Sequence, residues 1–349
     1  MFYIHQTSCI SPQQTFAAVD INRLHDVVNN KLQVIEPSYE SIPAGILRRM
    51  GKAIRFGVGT ALSLLKNNTA VIDGIIIGTA NGGMEDCIKF LNQVIDYDEG
   101  MLTPTNFVQS TTNAVAAQIG LLTGNKAYNT THVHRGLAFE NALLDADMLL
   151  REKETSNYLV GGVDEISGYN YNIEYLGGWY KKESISANDL YASGTMGSLA
   201  GEGAAIFLVN ADKTNAVVKV TGIHILHTTN ERIVADQLKL FLEKLLPAGE
   251  KIDLLLSGEN GDTRLLKYYQ ACEDILNQRA TVARFKHMMG EYPTSSAAAL
   301  WLAYCILKEQ YLPVHMLKYN TPQTTYNRIL ICNNYKGYQH SFILVEKPM

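Results

Sequence analysis

At 349 residues, with 46% hydrophobic and 18% charged side chains, the chain can bury a sizeable core, either as one large domain or as two fused halves. A net charge of -4 and a pI near 6.1 argue against a general nucleic-acid binder, which needs a basic face. No apolar run is long enough to span a membrane and no basic, apolar leader opens the sequence, so a cytoplasmic protein is expected.

Residues 2–10 alternate polar and apolar and stop at Ser11-Pro12, which predicts a first strand. Residues 46–65 form a helical pattern with Arg48, Arg49, Lys52 and Arg55 on one side, a solvated face or a phosphate contact. Residues 71–77 are almost all apolar and β-branched, as in a strand covered on both faces. The Gly-rich turn 78–83 then leads into a helix near Met84, and without a following Lys-Ser/Thr it is a weak phosphate cradle. Residues 110–122 predict a helix whose Ala114, Ala116 and Ala117 allow close approach of another backbone.

Residues 129–136 read as a turn, 137–150 as an amphipathic helix and 157–165 as a buried strand. Residues 168–188 are rich in Gly, Tyr and Asn and read as surface excursions, before a strand at 204–209. A second pass follows: a strand at 217–226, a helix at 231–246 ending before Pro247, and a strand at 252–256. Helices at 263–278 and 295–308 and strands near 314–318, 328–332 and 340–345 complete it. Two passes of alternating strands and helices imply two related α/β halves. Cys9, Cys87, Cys272, Cys305 and Cys332 lack the paired spacing of zinc or redox motifs and read as reduced, mostly core thiols.

The turn before the 137–150 helix presents one residue at a helix N-terminus, where unpaired N–H groups and the dipole would stabilise a cysteine thiolate. The chain has Val133 there. With Gly136, the Gly161-Gly162 strand end, Gly78-Thr79-Ala80-Asn81-Gly82-Gly83, residues 103–110, and 193–209 with its Gly201-Glu202-Gly203, the order of motifs resembles a β-ketoacyl synthase. That is the thiolase-like condensing enzyme of fatty acid and polyketide assembly, and the likeness covers nearly the whole chain. It implies a thiolase-like α/β fold of five layers, αβαβα, with residues 1–210 as the N-terminal half and 211–349 as the C-terminal half. It implies no cofactor and no metal.

Claisen condensation needs a thiolate, donors for the enolate and oxyanion, and a shielded tunnel. In the family the cysteine lies three residues before the glycine, at the position of Val133. One histidine donor belongs to a His-Gly-Thr turn, where this chain reads Ser257-Gly258-Glu259 with Gly258 at the degenerate position. The other closes a Lys-x-x-x-Gly-His segment, where Lys286 and Gly290 match and Glu291 replaces the donor. An ionised carboxylate only accepts hydrogen bonds and would repel a developing enolate. Residues 334–339 stand where a Gly-Phe-Gly-Gly gate would be, and the bulky Lys336 and Tyr338 imply a stiffer or differently placed loop. His132, His134, Tyr335, Gly337 and Phe107 are the implied substrate-side contacts.

Other residues could substitute for the lost groups. His132 and His134 could share a metal but lack a third ligand at a recognisable spacing, Cys332 could be a displaced nucleophile, and His287 a displaced donor. No Gly-x-Ser-x-Gly elbow supports a serine hydrolase. The resemblance thus implies a ketosynthase-like, non-condensing subunit similar to a chain-length factor, of the kind found in aryl-polyene and flexirubin-type pathways. Its partners would be an active ketosynthase and an acyl carrier protein. The alternatives are an enzyme with a relocated nucleophile and a homodimeric acyl-binding module.

Overall fold

β1 (Phe2–Ile10) opens the N-terminal half, with Phe2 and Ile4 buried as the alternation of the sequence requires. The structure, a computed structural model, describes residues 1–66, 68–80, 82–247, 249–321 and 325–348. The half continues with β2 (Lys31–Leu32), α1 (Ala44–Leu47), α2 (Lys52–Leu65), β3 (Gly74–Thr79), α3 (Met84–Asp96), α4 (Pro104–Gln109) and α5 (Ala114–Thr123). Then come β4 (Tyr128–Val133), a 3-10 turn (Arg135–Leu137), α6 (Ala138–Glu152), β5 (Tyr158–Asp164), α7 (Gly168–Leu176), β6 (Ala200–Gly201) and β7 (Gly203–Asn210). The C-terminal half runs β8 (Val218–His227), α8 (Glu231–Leu245), β9 (Leu254–Ser257), α9 (Leu266–Ile275), β10 (Thr281–Arg284), α10 (Lys286–Met289) and α11 (Ser295–Glu309). A second 3-10 turn (Val314–Met316), β11 (Leu317–Tyr319), β12 (Arg328–Tyr335) and β13 (Gln339–Glu346) end it.

Among the described residues eleven strands form one mixed sheet, in the order β11-β10-β9-β12-β13-β8-β1-β7-β5-β3-β4. Within it the five main strands of each half repeat one arrangement. Numbered in chain order, both sets lie third-second-fourth-fifth-first across the sheet, as β4-β3-β5-β7-β1 and β10-β9-β12-β13-β8. The pairing directions repeat as well: the second strand is parallel to the third and fourth, and the fifth is antiparallel to both its neighbours. Phe2–Ile4 of β1 pairs with Val218–Val220 of β8 and joins the two sets. The sequence only permits this duplication; the strand order displays it.

The sheet doubles back on itself around two central helices. α6 and α11 share one core with inward residues of both halves, including Phe139, Leu300, Phe207 and Ile331. α11 is buried around most of its circumference, which a helix enclosed between two sheets must be. Each fully buried leucine on it contributes roughly 1.5–3 kcal/mol. α2 and α5 cover the outer face of one half, and α8 and α9 that of the other. The layers therefore run αβαβα, as the family resemblance implies.

Several expectations need correction. The helix expected at 46–65 is broken between α1 and α2, where Gly51 is extended and a Cβ would fall 1.8 Å from an Asp86 carboxylate oxygen. The basic residues there are not simply solvated, since Lys52 pairs with buried Glu202 at 2.6 Å and Arg55 with Glu36 at 2.9 Å. Residues 129–136 are mostly strand, not turn: β4 is a half-buried edge, so its polar residues give no apolar run to read. The surface excursion at 168–188 contains α7, capped by the Ser167 side chain accepting from the Asn170 N–H at 3.1 Å. β10 was hidden by its length of four residues, and 314–316 is a 3-10 turn ahead of β11.

Candidate functional site

Of the three positions at which the family resemblance implies a lost catalytic group, the first lies where β4 passes into α6. Val133 is the last residue of β4 and 44% exposed, so it sits at a strand end ahead of a 3-10 turn and not at the N-terminus of α6. Arg135 takes a left-handed φ of 48° to make the corner. The Gly136 N–H, which could have faced an anion, donates to Gln339 Oε1 at 2.9 Å. Gly136 is obligatory here, because a Cβ would lie 2.2 Å from Tyr335 Cβ. The electrostatic advantage of a helix start is thus already taken by the β13 side chain.

His132 and His134 both turn toward α6 but each has its own partner. His132 Nε2 lies 2.9 Å from Asp145 Oδ2, while His134 Nδ1 accepts from Asn141 Nδ2 at 2.7 Å and stacks on His227 with centroids 5.5 Å apart. They are not brought together as a metal pair. Tyr335 packs against the corner, whereas Phe107 stands on α4, 58% exposed, against Phe90 of α3.

The two donor positions are filled differently. Gly258 follows β9, donates its N–H to the Cys332 carbonyl at 2.8 Å, and has no room for a side chain, since a Cβ would lie 2.5 Å from Asn333 Oδ1. Glu291 Oε1 accepts from Lys286 Nζ at 2.9 Å and its Oε2 from Asn260 Nδ2 at 2.7 Å. Lys286 is fully buried and also donates to Ser295 Oγ at 2.5 Å. Burial pushes its pKa down, and the Glu291 charge pulls against that. Behind it, Glu140 of α6 is buried, accepts from Ser341 Oγ at 2.7 Å, and has its pKa raised by desolvation. Asn260, Glu291, Lys286 and Ser295 form one closed chain of donors and acceptors. No imidazole stands in it.

The β12–β13 connection is a tight hairpin at 336–338, with Tyr335 opposite Gln339. Lys336 and Gly337 both take positive φ, 54° and 77°, and the Gly337 N–H donates to Asn334 Oδ1 at 2.9 Å. Lys336 Nζ pairs with Glu174 Oε2 of α7 at 2.5 Å and lies 5.1 Å from the Trp179 ring. The turn is tied at both ends.

Residues 25–174 match the family model for the N-terminal domain of β-ketoacyl synthases. This segment is similar to the N-terminal domain of β-ketoacyl synthases. No curated protein matches the sequence. Among solved structures, the ishigamide ketosynthase/chain length factor superposes with a TM-score of 0.78 at 14% identity, over 99% of this chain and 98% of that one. The ketosynthase ApeO in complex with its chain length factor ApeC from Xenorhabdus doucetiae gives 0.76 at 10%, over 99% and 98%. The type II polyketide acyl carrier protein structure AntDE:AntF, in complex with its ketosynthase bound to the hexaketide, gives 0.77 at 10%, over 99% and 98%. At such identities the likeness is one of fold, and the fold is the thiolase-like fold of ketosynthases.

Other groups of this ketosynthase-like chain serve the framework. Cys332 lies in the core under α8 and α9 beside Cys272, where burial pushes its thiol well up, so it is a poor nucleophile. Cys305 is pushed up to about 12 and Cys9 higher still, for the same reason. His287 is buried, pushed down to about 3, and held between Tyr191 and His315 Nδ1 at 2.8 Å. Asp164 accepts from Ala80 N, Thr79 Oγ1 and Thr294, pinning β3 and β5 to the start of α11. Glu202 does the same for Val34 N and Ile166 N. Asn81 of the Gly-rich turn lies outside the described residues. Sequence reasoning missed Gln339 and Asn260, the two amides that close the site; they reach it from 203 and 31 residues away, so no local motif marks them.

Proposed function

We propose that the chain is a non-condensing ketosynthase-like subunit that pairs with an active β-ketoacyl synthase and shapes its acyl channel, in the manner of a chain length factor. The observation that carries this reading is the closed Asn260–Glu291–Lys286 chain beside a corner bearing Val133, with Gly258 at the other donor position. Such a site offers neither a thiolate nor a free donor for an enolate. The fold shared with a ketosynthase solved together with its chain length factor supports the same reading. In this proposal His132, His134, Tyr335, Gly337 and Phe107 border the acyl path, and an acyl carrier protein loads the partner. The pathway would be one of fatty acid, polyketide or aryl-polyene assembly.

The partner's place is suggested by β4, the outermost strand of its half, whose free edge can add a further strand. Exposed Leu121, Tyr128 and Val133 flank it, with Phe107 and Val108 on α4 beside them. We place the division between the halves after residue 210, at the end of β7. Five unpaired cysteines support a cytoplasmic setting, and among the described residues no helix is long and apolar enough to cross a membrane.

The test is trapping by intact mass. The chain is incubated with an acyl-carrier thioester or a cerulenin-like electrophile, alone and co-expressed with a ketosynthase encoded nearby. The expected result is no adduct on this chain, an adduct on the partner, and a stable heterodimer that Thr131→Pro abolishes. A covalent adduct on this chain would replace the proposal with a relocated nucleophile. A persistent homodimer carrying lipid would replace it with a binding module.

A further inference from the structure

A groove far from the degenerate site shows unused polar groups in an apolar setting. It lies between β8, α6 and α8, with a volume of about 500 Å³, within the range of small-molecule sites. Leu144, Leu240, Phe241 and Leu245 form its walls. Its floor is an irregular part of β8. Val220 pairs with Val345 and Gly222 with Leu344, so Thr221 is the extra residue of a β-bulge, a feature that re-aims side chains. α8 presses close at this point: a Cβ on Gly222 would lie 2.3 Å from Leu245 Cδ1.

Two polar atoms of the floor are left over. Thr221 is 7% exposed and its hydroxyl has no partner in hydrogen-bonding geometry. The Glu346 carboxylate that this hydroxyl faces is held mainly by Arg328 at 2.9 Å and Lys219 at 3.4 Å. His224 Nε2 is also buried without a partner, its ring stacked on Phe342 and tilted against Phe241, both at 6.0 Å. Desolvation holds this imidazole below its ordinary pKa, with Gln237 acting the other way and Lys244 adding to the depression. A buried donor or acceptor left unpaired costs free energy that a ligand atom would recover.

The rim adds a charge preference. Asp147 is neutralised by Arg151 at 2.5 Å and by the Met1 amine. Among the described residues no acidic group pairs with Lys244, which lines the groove one turn beyond Leu240. The mouth is therefore cationic.

We propose that this groove binds a small amphiphilic organic anion, with its apolar body between Leu240 and Phe241, its charge at Lys244, and a hydrogen-bonding group on His224 and Thr221. The site is separate from the degenerate one: His227, at the site end of β8, is six residues from Thr221, about 20 Å at ~3.3 Å per residue. The inference does not depend on the proposed function.

The test uses 1-anilinonaphthalene-8-sulfonate fluorescence on the full chain, with decanoate and 1-decanol as competitors. One saturable site per chain is expected, with decanoate displacing the dye at least tenfold better than 1-decanol. Lys244→Glu weakens both dye and decanoate tenfold or more. Lys308→Glu, on the rim of the separate cavity beside Trp301 and Tyr304, leaves them unchanged. Hydrogen exchange on the unmodified chain fixes the location whether or not a variant folds: decanoate slows exchange at 221–224 and 240–245. Unsaturable binding, binding indifferent to Lys244→Glu in a folded variant, or protection elsewhere overturns the proposal.

Discussion

Glu291→Gln tests whether the site is held shut by charge. The substitution keeps the shape and the amide contact but leaves Lys286, fully buried, without its counter-charge 2.9 Å away. At an effective dielectric of ~20, charges at that separation attract by about 6 kcal/mol. The loss is capped, because the lysine can instead give up its proton, which from an ordinary pKa near 10.4 costs about 5 kcal/mol at pH 7. Burial already lowers the Lys286 pKa, so the escape is easier than that. We expect destabilisation of about 3 kcal/mol at pH 7, near the low end for breaking a buried pair.

The sign of the pH dependence follows. In the variant the folded chain holds Lys286 neutral while the unfolded chain keeps it protonated, so stability rises with pH, by up to about 1.4 kcal/mol per unit. The gap to the unmodified chain should therefore narrow by roughly 2–3 kcal/mol between pH 7 and pH 9.5. Urea unfolding, followed by the fluorescence of Trp179 and Trp301, measures both quantities. Replacing both partners, Lys286→Met with Glu291→Leu, should come within about 1 kcal/mol of the unmodified chain. A loss below about 1 kcal/mol at pH 7, or a gap constant with pH, would refute the argument.

Three further outcomes follow from the geometry. Val133→Cys should gain no acyl group by intact mass after exposure to an acyl-carrier thioester, because Gln339 occupies the Gly136 N–H and the neighbouring His132 and His134 are engaged by Asp145 and Asn141; a stoichiometric adduct would show that the corner is still competent. Gly136→Ala should destabilise by about 1–3 kcal/mol in urea unfolding through its clash with the Tyr335 Cβ, and Tyr335→Ala in the same chain, which keeps that Cβ, should not restore it. Glu165 is pushed from 4.5 up to about 7 by burial, with the Asp86 charge adding to it, while Ala53 N–H and Lys52 act against the rise. A raised carboxylate stabilises below its unfolded pKa and loses that contribution as pH rises through the folded value, so Glu165→Gln should flatten the fall in Tm between pH 5 and 7.5, and an unchanged slope would contradict the assignment.

The elements read most securely from sequence are those whose burial is one-sided or complete. β1 alternates, α8 is an amphipathic helix stopped before Pro247, and α11 is apolar with small residues at its start; each emerges within a residue or two of its expected span. β4 escaped because an edge strand with one half-buried face can be built from Asn, Thr and His. Val133 and Glu291 stand out in the sequence because each sits inside a local stretch that resembles a family motif. The closure of the site was not, because it depends on Gln339 and Asn260 arriving from other elements, and on backbone approaches that leave Gly136 and Gly258 no room for a Cβ.

The carboxylate at 291 is more than the absence of a histidine. Lys286 is retained, buried, and within reach of Ser295, so whatever stands at 291 decides whether its charge is compensated. An apolar residue there would leave a buried ammonium with the Ser295 hydroxyl and the Glu140 behind it, whose own pKa is raised by burial, and a neutral imidazole would do little better, whereas glutamate answers both the lysine and the Asn260 amide. It follows that Glu291→His alone should not rebuild a donor. It should behave like Glu291→Gln in stability, because one substitution removes the counter-charge while Gly258 still has no space for the second imidazole. On the proposed non-condensing reading, packing and charge together hold the site closed, and reversing that takes simultaneous change at the corner, the β9 turn and position 291.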